Sequence, residues 1–136
     1  MFYVFREVIS TADIITAKIE RKLDLISGVI HQVDVLFEDG CEHEVHVQIL
    51  HSNTQLWPSN QTRSDGTPNT LTGNATVVSF REFYELKPGV TDLTLLVWGD
   101  GTVDDKHVVV QIGLLPKRVL QPLSFEELLA AATGVR

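Results

Sequence analysis

Gly28-Val-Ile-His-Gln-Val-Asp-Val-Leu-Phe37 and Val45-His-Val-Gln-Ile-Leu50 are the stretches whose reading decides the fold. In the first, Val29, Val33, Val35 and Phe37 fall on one side of an extended chain, with Gln32 and Asp34 on the other. In the second, Val45, Val47 and Ile49 alternate with Glu44, His46 and Gln48. A period of two is the mark of a strand with one face buried and one wetted. Between the two runs, Glu38-Asp39-Gly40 offers a tight turn with Gly40 able to take a positive φ, so the pair reads as a β-hairpin.

The same signal extends outward in both directions. Leu23 and Leu25 alternate with charged neighbours after Ile19, giving a strand over 18–26. Thr76 to Leu86 is β-prone but changes its alternation near Glu82-Phe83, as a bulge does. After the turn residues Lys87-Pro88-Gly89 come the strand Leu93–Trp98, the link Gly99-Asp100-Gly101 and the strand His107–Ile112, which read as a second hairpin. The opening segment 1–17 carries Phe2, Tyr3, Val4 and Phe5, then Val8 and Ile9, apolar on both faces. Such a segment is either a strand of the same sandwich or an arm that pairs with another chain by β-augmentation.

Two stretches depart from the β pattern. Residues 52–75 are rich in Ser, Asn, Thr, Gly and Pro and form a long polar loop anchored by Leu56, Trp57 and Leu71. Beyond Pro116, Ser124-Phe-Glu-Glu127 matches a capping box, with Ser124 as N-cap. Phe125, Leu128, Leu129 and Ala132 then make the apolar stripe of a helix over 123–133. A helix of about two turns does not stand alone in water, so it must dock on its own sandwich or on a neighbour. The expectation is one domain over 1–136: mainly β, an antiparallel sandwich or jelly-roll-like unit with a short C-terminal helix.

Composition narrows the function. The 136 residues are 43% hydrophobic and 21% charged, enough to build a core and too apolar for a disordered chain. A single cysteine, Cys41, excludes an internal disulfide. The formal charge of −7, without a Lys/Arg cluster, lacks the footprint of a nucleic-acid binder. No apolar run approaches the ~20 residues of a membrane span, and Arg6 and Glu7 interrupt the opening run before a signal sequence could form.

The residues that could carry chemistry do not assemble into a recognisable motif. His31, His43, His46 and His51 lie close in sequence to Cys41, and on a hairpin Cys41, His43 and His31 could share a face. Zinc spacings of the CxxC or HExxH kind are missing, however, so these read as structural or surface residues. Asp100, Asp104 and Asp105 in a Gly-containing link have the oxygen chemistry of a calcium site without its register, and a turn needs such residues in any case. There is no Gly-x-Ser-x-Gly elbow and no phosphate loop. No catalytic, cofactor or metal residues are expected. Trp57 and Trp98 are potential sugar-stacking rings, and Trp57 with Asn60 would make the 52–75 loop a ligand site.

Val33-Asp-Val-Leu-Phe37, Gly40-Cys41, Val45-His-Val-Gln-Ile49, Pro58-Ser59-Asn60 and His107-Val-Val-Val110 together resemble a pattern found in small β-sandwich structural proteins of tailed bacteriophages. The resemblance covers 28–112 and rests on hairpin signals rather than on a catalytic signature. It implies a decoration or head-associated virion protein, assembled in the host cytoplasm. Such a protein has no cofactor and binds other capsid subunits and its own copies. The expected contacts are Phe2, Tyr3, Val4 and Phe5 with Phe125, Leu128 and Leu129. The alternative is a carbohydrate- or receptor-binding sandwich. Exposed tryptophans would favour the sugar reading, and buried tryptophans with outward apolar termini would favour assembly.

Overall fold

Eight strands follow one another in the computed structural model, which describes residues 1–52, 54–59, 69–89 and 91–116. They are β1 (Phe2–Ile9), β2 (Ile19–Asp24), β3 (Gly28–Phe37), β4 (Val45–His51), β5 (Thr54–Trp57), β6 (Thr76–Leu86), β7 (Asp92–Gly99) and β8 (Lys106–Pro116). They form two four-stranded antiparallel sheets: a front sheet in the order β1-β8-β3-β6 and a back sheet in the order β2-β7-β4-β5. The pairs β1·β8, β2·β7, β3·β6 and β4·β5 are those of one long hairpin rolled up so that successive pairs fall alternately in the two sheets. The roll also brings β8 beside β3 and β7 beside β4. This is the strand order of a jelly roll. The helix expected over 123–133 lies outside the described residues.

The core fills the space between the sheets. Ile30, Val33, Val35, Phe37, Val108, Val110, Ile112 and Leu114 enter it from the front, and Leu23, Val45, Val47, Ile49, Leu93, Leu95 and Val97 from the back. Most of these have no exposed surface at all. Alternation is thus the mechanism of the fold: each strand contributes every second side chain to one dry layer.

The expected hairpins do not form. β3 and β4 lie in different sheets, as do β7 and β8. The apolar faces of β3 and β4 meet across the core instead of lying side by side. The link from Glu38 to Glu44 is a crossover between layers rather than a hairpin turn. Gly40 has the anticipated positive φ of 98°, and Glu42 and His43 follow at 48° and 59°. The Asn74 side-chain oxygen holds this crossover by accepting from the backbone N–H groups of Gly40 and Glu42 at 3.0 and 3.1 Å. The hairpin that does form is β4–β5, inside the stretch expected to be loop.

Alternation also slips once within β3. The pairing shifts between Ile30 and Gln32, so that His31 has no partner on β8 and faces both Glu82 and Phe83 on β6. The bulge expected at Glu82-Phe83 is therefore shared with β3. As a consequence Ile30, not Val29, joins the core cluster. Gly28 begins this strand because a Cβ there would lie 2.3 Å from the Leu115 carbonyl oxygen, so only glycine lets the two backbones approach.

If the dry layer carries the stability, Phe37→Ala should cost about 3–5 kcal/mol. Val77→Thr, on the wetted side of the adjacent strand, should change stability by no more than about 0.5 kcal/mol. Urea unfolding of the two variants measures both.

Candidate interaction surface

β1 is an edge strand: among the described residues it pairs with β8 alone. Its odd-numbered side chains point inward. Tyr3 and Phe5 are half-buried and pack against the core, and their rings stack at 6.5 Å. Glu7 receives Arg21 of β2 at 2.8 Å, and the same guanidinium lies 5.3 Å from the Phe5 ring. The even-numbered side chains point outward: Phe2 is 51% exposed, Val4 61% and Val8 44%. The expected contact residues therefore divide. Phe2 and Val4 turn to solvent, whereas Tyr3 and Phe5 serve their own core. Val8 belongs with the outward pair. Phe125, Leu128 and Leu129 lie outside the described residues.

The outer surface of the front sheet continues from this edge. Phe2 lies opposite Gly113, where its ring and that of His31 cover the glycine and meet edge-on at 5.8 Å. Val109, Leu36 and Val77 stand in register across β8, β3 and β6 as an apolar row. Beside it runs a polar band in which Asp34 accepts from Gln32 at 3.0 Å and from Ser79. Phe83 projects from β6 with 78% of its surface exposed.

The histidines are held by structural neighbours. His46, on the outer face of the back sheet, has Nδ1 2.7 Å from Thr70 Oγ1 and Nε2 2.9 Å from the Asp100 carboxylate. Its ring stacks on Trp98 at 5.4 Å, and Lys18 Nζ sits 4.3 Å from the centre of the Trp98 ring. This cluster ties the start of the β7–β8 link and the segment before β6 to the sheet. His51 Nδ1 lies 2.5 Å from the Tyr84 hydroxyl. His43 is exposed, with Thr72 Oγ1 3.4 Å away, and Cys41 is buried with Sγ 3.5 Å from the His107 carbonyl. His31 stands apart on the front sheet, because the hairpin that would have joined it to Cys41 and His43 does not form. Among the described residues no three His, Cys, Asp or Glu side chains come together to hold a metal.

Both tryptophans are buried, Trp57 to 4% and Trp98 to 3%. Trp57 packs against Phe80 and Tyr84, closing the end of the sandwich where the edge strands β5 and β6 face each other. One open cleft among the described residues lies elsewhere, a space of about 460 Å³ between the ends of β2 and β7, lined by Lys22, Asp24, Ser52 and Asp92 and by no aromatic ring. Asn60 lies outside the described residues. No helix among the described residues is long and apolar enough to cross a membrane.

No protein-family model matches the chain, and a search of curated proteins finds no relative.

Burial pushes the Cys41 thiol above its ordinary value of 9.0 and the Tyr84 hydroxyl above 10.0. Unfolded, both groups release their protons at lower pH than they do folded, so their contribution to stability is complete below the ordinary values and is lost as pH rises past them. Urea midpoints should therefore begin to fall as pH rises past about 9 and continue to fall past about 10, and Cys41→Ala should flatten the earlier part of that decline.

Proposed function

We propose that this chain is a non-enzymatic structural protein of a virion, a capsid-decorating or head-associated module that binds neighbouring subunits and its own copies. The observation that carries the reading is where the large apolar side chains stand. Trp57 and Trp98 are spent inside the fold, while Phe2, Val4 and Val8 are spent on its surface along an open sheet edge. A sugar-binding platform needs an aromatic face turned to solvent, and neither tryptophan offers one. An assembling subunit needs exposed apolar area and unpaired strand edge, and among the described residues β1 has both.

The strand order agrees with this role without selecting it, since jelly rolls build capsids and also lectins. Repetition on a particle compensates for weak individual contacts, because many copies engaged at once gain avidity. The host cytoplasm, where such particles assemble, is the corresponding location.

Light scattering over a concentration series should find a defined oligomer or a reversible self-association. Phe2→Ser with Val4→Thr should weaken it at least tenfold while leaving the unfolding midpoint nearly unchanged. Purified particles from cells carrying the gene should contain the chain in many copies. A strict monomer up to about 1 mM that is also missing from such particles would overturn the reading.

A further inference from the structure

We propose that β1 pairs with β1 of a second copy across a two-fold axis centred on Phe5, joining two front sheets into one continuous sheet; this rests on the assembly reading above and names its partner and register. The direction of the backbone groups comes first. The Met1 amino group donates to the Leu114 carbonyl at 2.9 Å, and the Leu114 N–H donates back to the Met1 carbonyl at 2.8 Å. Met1 and Leu114 are thus a hydrogen-bonded pair, and such pairs alternate along an antiparallel ladder. Tyr3, Phe5 and Glu7 therefore spend their backbone groups on β8. Phe2, Val4, Arg6 and Val8 turn theirs to the open side. The Arg21 guanidinium, 3.3 Å from the Arg6 carbonyl, agrees with that direction.

Among the four sheet edges that the described residues form, β1 is the least defended. β2 carries Glu20, Arg21, Lys22 and Asp24 in six residues, and β5 has only four residues. β6 interrupts its apolar residues with Arg81, Glu82 and Glu85. Charge and shortness are the ordinary ways in which proteins close an edge. In β1 the only charges are Arg6 and Glu7.

The register follows from parity and charge. A two-fold axis must pass through a residue rather than between two, or outward side chains of one copy would oppose inward ones of the other. Centring on Arg6 or Glu7 sets like charges against each other. Centring on Val4 leaves Val8 opposite no residue of β1, and centring on Tyr3 does the same to Arg6 and Val8. Centring on Phe5 engages Phe2, Val4, Arg6 and Val8 of both copies. It sets Phe2 against Val8 of the second copy, an aromatic–β-branched pair, and Val4 against Arg6. Arg21 gives up the Arg6 carbonyl and keeps Glu7.

Single-cysteine variants in a Cys41→Ala background read the register directly. Phe5 would face its counterpart as a non-hydrogen-bonded pair at about 4.5 Å between Cα atoms, within disulfide reach. Phe5→Cys should form a covalent dimer under mild oxidation. Val4→Cys should not, since its counterpart lies on the diagonal at about 7–8 Å. Because Phe5→Cys removes packing, Val4→Pro is the second test. Its lost N–H points away from β8, so the monomer should keep its unfolding midpoint while self-association weakens at least tenfold. Cross-linking through Val4→Cys instead, or association unchanged by Val4→Pro, would overturn this pairing and leave the broader assembly reading standing. Absence of any self-association in the parent chain would also overturn this pairing, whereas the broader reading falls only if the chain is missing from the particles as well.

Discussion

Every strand here has one side that must leave water, and a single sheet cannot hide it. Two four-stranded layers placed face to face can, and the side chains that fill the gap, Phe37 and Leu95 among them, have almost no exposed surface. The other features depend on this dry layer. The crossover from Glu38 to Glu44 exists because β3 and β4 must face each other, and Asn74 is needed to satisfy the backbone it leaves behind. The bulge at His31 keeps Ile30 in the layer at the expense of Val29.

Filling the layer from two sheets also fixes what remains outside. An open sandwich has four edges, and this chain treats them unequally. β2 is charged, β5 is brief, β6 mixes charge with an exposed phenylalanine, and β1 presents apolar side chains and turned-out backbone together. Polar side chains on the back sheet hold links in place, as in the Thr70–His46–Asp100 chain over Trp98. Function on this reading resides in the edge, and the interior supplies the rigidity that presents it.

The amino-acid sequence made strand existence and inward faces legible, because period-two alternation is a local property. β3, β4, β6, β7 and β8 all fall where it places them, and the slip near Glu82-Phe83 is visible in the same pattern. Sheet membership was not legible. Val29–Phe37 and Val45–Leu50 have the same alternation whether they are neighbours in one sheet or opposed across a core, and only the other strands decide between these arrangements. For the same reason the proximity of His31 to Cys41 and His43 was a consequence of a hairpin that does not form. β5 escaped notice because Thr54-Gln-Leu-Trp57 is short and surrounded by turn residues. At the surface, Phe2 and Val4 could be named from composition alone. That Tyr3 and Phe5 face the other way required the register with β8.

The most direct test of an edge built for association is amide hydrogen exchange of β1, residue by residue, in dilute and concentrated solution. In the dilute chain, Tyr3, Phe5 and Glu7 should be protected by β8, and Val4, Arg6 and Val8 should exchange freely. Raising the concentration should protect the second group and leave the first unchanged. Protection of Val4, Arg6 and Val8 already in the dilute monomer would mean that the edge is covered by the chain itself, and their exchange remaining fast at every concentration would mean that nothing binds there; either result contradicts the account.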